Sequence, residues 1–530
     1  MPVDVHLSRV VRTAAQTTAL LLLSGCGPRN TPVAHPEEIW DAYNAPSIFG
    51  LGPVRYEQLI QPEALQGSLP HKPWVDSYWP YDEKNIAKRY AESHDFDSLD
   101  HQVHDAKSHA QDPDLSPAEK YDILTGADDF PLTSQSWSVY EDYKKRYHGT
   151  KSWDWMGICN GWAPAALNEA APKHHVLAKS GGREVLFYEG DIRALLSKAY
   201  DLNATTDGLR MIGTRCDAKF QDIPRDKSGR PIDGRIDSTR EPFTILVDDS
   251  WTTGVMMVTR DPQQPNPYWL VASQPLVDPT LPADLYIYNN QADVAADLQD
   301  KTIGQRASLP TPAHVTFYRN CRDANAASFH IALSDSLSNA AKTRLGFVAE
   351  MFRTEQIWNY PVWGFQSQIG RPYPVTQEKG NQLDLHAPGT AFLADVTTRL
   401  IYVGEVGPAA EYSDDDAGPV DWKDVDTRPS TYSHADLQYT LELDANGFVI
   451  GGEWAESPAY NVAMPDFFWR LSGKLTDQVR DENGKPGTPS ILKYSLVKKL
   501  LDCSQGTPDR TIHVSLNGQD KEVSAVTCSI

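Results

Sequence analysis

Trp155-Met156-Gly157-Ile158-Cys159-Asn160-Gly161-Trp162-Ala163-Pro164-Ala165-Ala166-Leu167 divides this 530-residue chain into two textures. From Cys159 to Ala171 the stretch is rich in Ala and reads as a helix, because Ala is the best helix former. Proline is tolerated only in a first helical turn, so Pro164 predicts regular helix from about Ala163, with Cys159 in the turn before it. Toward the amino end, Ser116-Pro117-Ala118-Glu119 reads as a helix start. Ser serves as the cap, Pro takes the first position, and Glu reaches back to the cap. On the carboxyl side, Asp191 to Tyr200 is amphipathic, with Ile192, Leu195, Leu196 and Ala199 on one face. From about residue 243 the pattern turns to strands. Phe243 to Val247, Leu285 to Tyr288, Ser328 to Leu333, Leu345 to Met351, Leu400 to Val406 and Leu437 to Leu443 are the candidates. Asn446-Gly447 and Asn517-Gly518 each break two apolar runs and predict hairpins. Helices first and an antiparallel sheet afterwards make an α+β class.

Length predicts two or three structural units, with a core that needs no disulfide support. The formal net charge is −22. Such a surface repels phosphate backbones, so nucleic acid is excluded as a partner. No run of about 18 apolar residues predicts a membrane-spanning helix. Arg9 and Arg12 precede an apolar stretch ending in Leu20 to Leu23, which reads as a secretory signal. Leu23-Ser24-Gly25-Cys26 resembles the bacterial lipoprotein cleavage box. That likeness implies lipid on Cys26, a signal peptide over 1–25, a membrane anchor, and a place in the cell envelope, at the outer membrane or cell surface. The alternative is an ordinary signal peptide with an incidental Cys. Residues 26–115 are polar, show no periodic core face, and read as an extended lead, a pro-segment or a solvated spacer.

Export favours paired cysteines. Without Cys26, five remain, so at least one thiol is free unless it pairs between chains. If that thiol is Cys159, the other four allow three pairings. Cys216–Cys321 and Cys503–Cys528 are favoured, the latter because it brackets a hairpin.

Cys159 sits between glycines at the mouth of a helix. The positive helix end lowers a thiol pKa, and glycines permit close approach of a substrate backbone. A buried, inert Cys fits the same segment. His330 weighs toward chemistry. An antiparallel hairpin centred on Ala340 sets His330 opposite Glu350, while Phe329, Ile331 and Leu333 meet Met351, Ala349 and Phe347 on an apolar reverse face. A carboxylate on one imidazole nitrogen would orient the other toward a thiol. An ordinary cross-strand pair is the plainer alternative.

Several blocks in fixed order resemble the transglutaminase elicitor family, known from secreted oomycete enzymes. They are Ser116-Pro-Ala-Glu-Lys-Tyr-Asp122, Trp155 to Ala165, Gly190 to Leu196, Cys321-Arg-Asp323 leading into Phe329-His330, Gly451-Gly-Glu-Trp454 and Pro465 to Trp469. Ile357-Trp-Asn-Tyr-Pro-Val-Trp-Gly-Phe365 is the most distinctive, being similar to the exposed peptide by which plants detect these proteins. The resemblance implies a papain- or transglutaminase-like core over 116–475, with helices carrying the Cys and the sheet carrying His and acid. Residues 476–530 would be a β extension. It also implies Cys159 as nucleophile and His330 as base, with Glu350 in the place of an acid that is usually Asp. Asn160 stands where many relatives have His.

The reaction implied is attack of Cys159 on a protein-bound Gln, loss of ammonia, and transfer of the acyl group to a Lys or other amine. Candidate oxyanion donors are the Cys159 N–H and the Trp155 indole. Trp153 and Trp162 would exclude water, although Trp162 faces the helix as a core residue would. No cofactor is required. Calcium would suit Asp414, Asp415 and Asp416, with Asp421, Asp424 and Asp426 nearby, or that loop is simply solvated. A thiol peptidase or amidase using the same Cys–His pair, and a catalytically silent surface lipoprotein that binds partners through Trp358 to Phe365, are the competing readings.

Overall fold

Ser116 caps the helix Pro117–Thr125 as its spacing predicts. The Ser116 hydroxyl accepts the Glu119 N–H at 3.3 Å, and the Glu119 carboxylate accepts the Ser116 N–H at 2.7 Å. The reciprocal bonds satisfy two donors that a helix start leaves open. In this computed structural model the described residues are 44–91, 95–147, 153–204, 208–213, six short strands between 244 and 319, 324–341, 345–351, 356–377, 386–387, 389–412, 419, 421–427, 431–454, 465–471, 475–480, 486–516 and 519–530.

The same Glu119 receives both faces of the Arg89 guanidinium at 2.7–3.3 Å. Arg89 belongs to the segment expected to run apart from the core. Its described part does the reverse: Trp74, Val75, Trp79, Ile86 and Ala87 all lie in the main hydrophobic cluster. The apolar residues here sit in extended chain and short 3-10 turns. Neither gives a helical or alternating period, so the burial left no pattern to read.

The helix Glu189–Asn203 contains the expected amphipathic segment, with Ile192, Leu195, Leu196 and Ala199 fully buried. It packs along the helix Cys159–Asn168. That helix starts at the Cys and not near Ala163. Pro164 removes one N–H from the ladder, yet the first turn is held by Gly161 and Trp162 N–H groups donating to the Ile158 carbonyl at 2.9 and 3.0 Å. A single missing rung bends the expectation without stopping the helix.

The main sheet has nine strands among the described residues. Its order runs Val449–Trp454, Tyr432–Leu443, Phe392–Val403, Asn359–Ile369, Val348–Glu350, Phe467–Leu471 and Leu209–Gly213, all antiparallel. Gln66–Ser68 and Tyr373–Pro374 pair onto it as short additions. The Asn446-Gly447 turn joins the first two strands, with Gly447 at φ 80° where only a left-handed residue fits.

Ser328 to Leu333 is not a strand. It lies in the helix Ala326–Leu337, capped by Asn325, whose side chain accepts the Ala327 N–H at 3.0 Å. Residues 326–333 are all buried, so no polar face marks the helical period, and a short apolar run reads equally as strand. The hairpin centred on Ala340 therefore does not form. Glu350 faces Asn359 and Phe467 across the sheet, not His330.

A second sheet is built from Arg510–Leu516, Gln519–Ser529, His175–Ser180 and Arg183–Phe187. Leu516 pairs with Gln519, as a two-residue Asn-Gly turn requires. The last strand runs parallel to His175–Ser180, so the carboxyl-terminal hairpin completes a sheet begun just after the Cys159 helix. Cys503 and Cys528 form the expected disulfide. Cys26, Cys216 and Cys321 lie outside the described residues. Among those described, no helix is long and apolar enough to cross a membrane.

Candidate active site

Cys159 is the first residue of its helix, so its sulfur sits at the positive end of the helix dipole. Two glycines set that position. A Cβ on Gly157 would run into the Tyr78 carbonyl, and one on Gly161 into the Ser197 carbonyl. These glycines therefore admit the protein's own backbone rather than a substrate's. The Ile158 N–H donates to the Tyr78 carbonyl at 2.6 Å and anchors the turn. Asn160 points away, its amide donating to Asp201 at 3.2 Å.

Asn359 of the distinctive motif and Asn160 beside the Cys supply donors to the sulfur. Asn359 Nδ2 donates to Cys159 Sγ at 3.4 Å, and backbone N–H groups of Asn359 and Asn160 also bond the sulfur. The Trp469 indole donates to Asn359 Oδ1 at 2.8 Å. An indole N–H can only donate, so this bond fixes the amide with its NH2 toward sulfur. The thiol itself donates to the Ile357 carbonyl at 3.8 Å. Burial pushes the thiol pKa up to about 12, with the Glu405 charge adding to the rise, while the Asn359 and Asn160 donors pull against it.

Glu405 is an acid whose charge bears on the thiol. Its Oε1 is enclosed and has no hydrogen-bond partner. Burial, and next the charge of Asp76, hold its carboxyl well above the ordinary range. Tyr78, Trp358 and Tyr360 are half-buried, Trp358 meeting Tyr78 edge-on at 5.4 Å between ring centroids. Glu350 is buried beside them, its Oε1 accepting the Trp358 N–H at 3.4 Å.

The expected site thus comes together in part. Cys159 bonds Ile357 and Asn359, and the Glu350 carboxylate bonds Trp358 between them. His330 does not join them. Its Nδ1 shares a 2.6 Å hydrogen bond with the Tyr439 hydroxyl, which continues to Thr398 and Ser367, and its Nε2 has no partner. It therefore bonds neither Cys159 nor Glu350. Among the described residues no imidazole bonds the thiol. Trp162 is a core residue, its indole donating to the Trp74 carbonyl at 3.1 Å. Trp153 is buried among Tyr140, Tyr143 and Tyr147, and Trp155 is half-buried. Asp414, Asp415 and Asp416 lie outside the described residues. Asp421 Oδ1 accepts the Lys423 N–H at 3.0 Å in a turn of its own.

Asn359 and Trp469 stand within the family-like blocks, and neither carries a role from the sequence alone. A polar side chain between the aromatics Trp358 and Tyr360 was the available signal. Glu405 carried none.

The transglutaminase elicitor family matches residues 54–241 and 315–506. The chain belongs to that family. The match takes in the Cys159 helix, the Ile357–Phe365 segment and Trp469, and begins well before Ser116. Among solved structures, the chain is similar to the crystal structure of the GP42 transglutaminase from Phytophthora sojae. That likeness has 18% identity and a TM-score of 0.47, and covers 90% of this chain and 99% of the other. No curated protein matches. In this member of the transglutaminase elicitor family, Asn359 and Pro361 to Phe365 of the distinctive motif are buried in the sheet, with Trp358 and Tyr360 half-buried at its end.

Proposed function

We propose that this chain is a protein-glutamine γ-glutamyltransferase with Cys159 as its nucleophile. One observation carries the reading. The thiol stands at a helix amino end with its sulfur among hydrogen-bond donors, in a chain of the transglutaminase elicitor family. Donors that favour the charged form prepare a buried sulfur for negative charge. The same donors can hold the oxyanion of a tetrahedral intermediate.

The reaction starts when Glu405 takes the thiol proton. Its free Oε1 and its electrostatic effect on the thiol support that role, whereas His330 makes no hydrogen bond to the thiol. The thiolate attacks the γ-carboxamide carbon of a protein-bound Gln. The S–C bond forms, the C–N bond breaks, and ammonia leaves with the proton from Glu405. A Lys or other amine then attacks the thioester and regenerates the thiol. Trp358, Tyr78 and Tyr360 would limit water, whose attack gives deamidation instead.

Export with lipid on Cys26 is part of the same proposal, supported by the Leu23–Cys26 box and by the Cys503–Cys528 disulfide, which fits an oxidising compartment. Calcium at Asp414 to Asp416 remains an expectation of the sequence alone.

The test is incorporation of a labelled primary amine into a Gln-rich protein. The proposal expects incorporation by the native chain and none by Cys159→Ala. Peptide cleavage without incorporation would point to a thiol peptidase and overturn it.

A further inference from the structure

One edge of the main sheet holds a buried cluster that the acyl-transfer reading leaves unused. Thr440 faces Glu453 and Glu442 faces Gly451 across the Tyr432–Leu443 and Val449–Trp454 pair. Alternation then puts Glu442, Gly451 and Glu453 on one face of the sheet. Gly451 has no side chain, so the space beside Glu442 is open to Glu453. His386 reaches the same place from the chain that precedes Phe392–Val403. One donor atom from each of His386, Glu442 and Glu453 lies within 4.8 Å of the others. All three residues are buried, at 7%, 0% and 7% exposure.

Two carboxylates this close in the interior favour a cation near them. Glu442 Oε2 is held by the Ala387 N–H at 2.8 Å and the Thr390 hydroxyl at 3.4 Å, which leaves Oε1 presented to the imidazole. His386 Nδ1 and Glu442 Oε1 are 3.0 Å apart. They are hydrogen-bonded as they stand; donors about 2.0–2.2 Å from a tetrahedral ion are roughly 3.4 Å apart, so a small opening of this pair would seat a shared metal. The donor chemistry selects among ions. One imidazole with two carboxylates suits zinc and its first-row neighbours, whereas calcium takes oxygen donors only.

We infer that His386, Glu442 and Glu453 bind one divalent transition-metal ion of the zinc type. Glu442 stands two strands and Glu453 three from Asn359–Ile369, roughly 10–14 Å across the sheet. At that distance the ion fastens the sheet edge and takes no part at the thiol.

The experiment uses the full chain, stripped with chelator and titrated with ZnCl2. Bound metal is measured by elemental analysis, and Tm is followed in parallel. The inference expects about one zinc per chain and a Tm raised by a few degrees, both lost in Glu453→Gln and in His386→Asn. Co2+ substitution should give the visible absorption of a nitrogen- and oxygen-ligated ion, a readout independent of stability. No bound zinc and no Co2+ spectrum would overturn the inference and leave a shared proton as the neutralising device. Equal binding by Glu453→Gln, or a Tm shift with Ca2+ and none with Zn2+, would overturn it as well.

Discussion

Asn359 is the residue whose role depends most on the fold. Its side chain touches a sulfur 200 positions away and is oriented by an indole 110 positions further on. Nothing local to Trp358-Asn359-Tyr360 encodes that pairing, so it was illegible in sequence, while Cys159 was legible from its glycines and its helix. Asn359→Ala should lower kcat on the order of 10²–10³-fold with little change in KM, as loss of a donor to developing charge does. Trp469→Phe should have a smaller effect, since it frees the amide without removing it. Glu405→Gln separates two roles. Iodoacetamide alkylation of Cys159 should not slow, while amine incorporation falls about 10²-fold or more for want of a proton acceptor. Slower alkylation would argue against the electrostatic link. His330 gives a prediction about stability. Burial lowers its pKa from 6.5 to about 4, so the folded protein holds it neutral. The stability this contributes is complete above pH 6.5 and is lost as pH falls through about 4, a change on the order of 3 kcal/mol. Urea unfolding of the native chain and His330→Gln at pH 7 and pH 4.5 checks this, the variant being the less sensitive to acid.

Elements with a polar face or a cap were readable, and those buried on every side were not. The Ser116 cap, the Ile192–Ala199 face and the Asn446-Gly447 turn each carry a local signal that the fold obeys. The helix Ala326–Leu337 has no polar face through its first eight residues, so its sequence fits a strand equally well. His330 lies in that helix and not in a hairpin, so it has no pairing with Glu350. The Cys159 helix shows what close packing demands. Gly161 lies against the Ser197 carbonyl of the neighbouring helix with no room for a methyl group. Gly161→Ala should destabilise the protein by about 1–3 kcal/mol, and because the shift is passed to the first turn, activity should fall as well. Thermal unfolding and amine incorporation on the same sample measure both.

Across the whole molecule, chain ends and middle are interlocked. The segment from Asn44 supplies Trp74 and Trp79 to the core, and the final strand lies parallel to His175–Ser180 beside the Cys159 layer. The α+β class was legible because hairpin turns and helix caps are local. The enclosure of residues 44–91 was not, since extended buried chain leaves no period. The Cys503–Cys528 disulfide closes a 25-residue separation between the last helix and the last strand. Replacing both with Ser should cost about 3 kcal/mol by the loop-entropy estimate, seen as a lower urea midpoint. Under reducing conditions the native chain should show the same loss.

The account stands on Cys159 carrying the acyl group. Incubation with a Gln-containing peptide and no amine, followed by acid quench and peptide mapping by mass spectrometry, tests this directly. The predicted result is a thioester on the peptide that contains Cys159, its mass raised by that of the substrate less ammonia, and discharged by added amine or hydroxylamine. An unmodified Cys159 alongside amine incorporation by the same sample would contradict it.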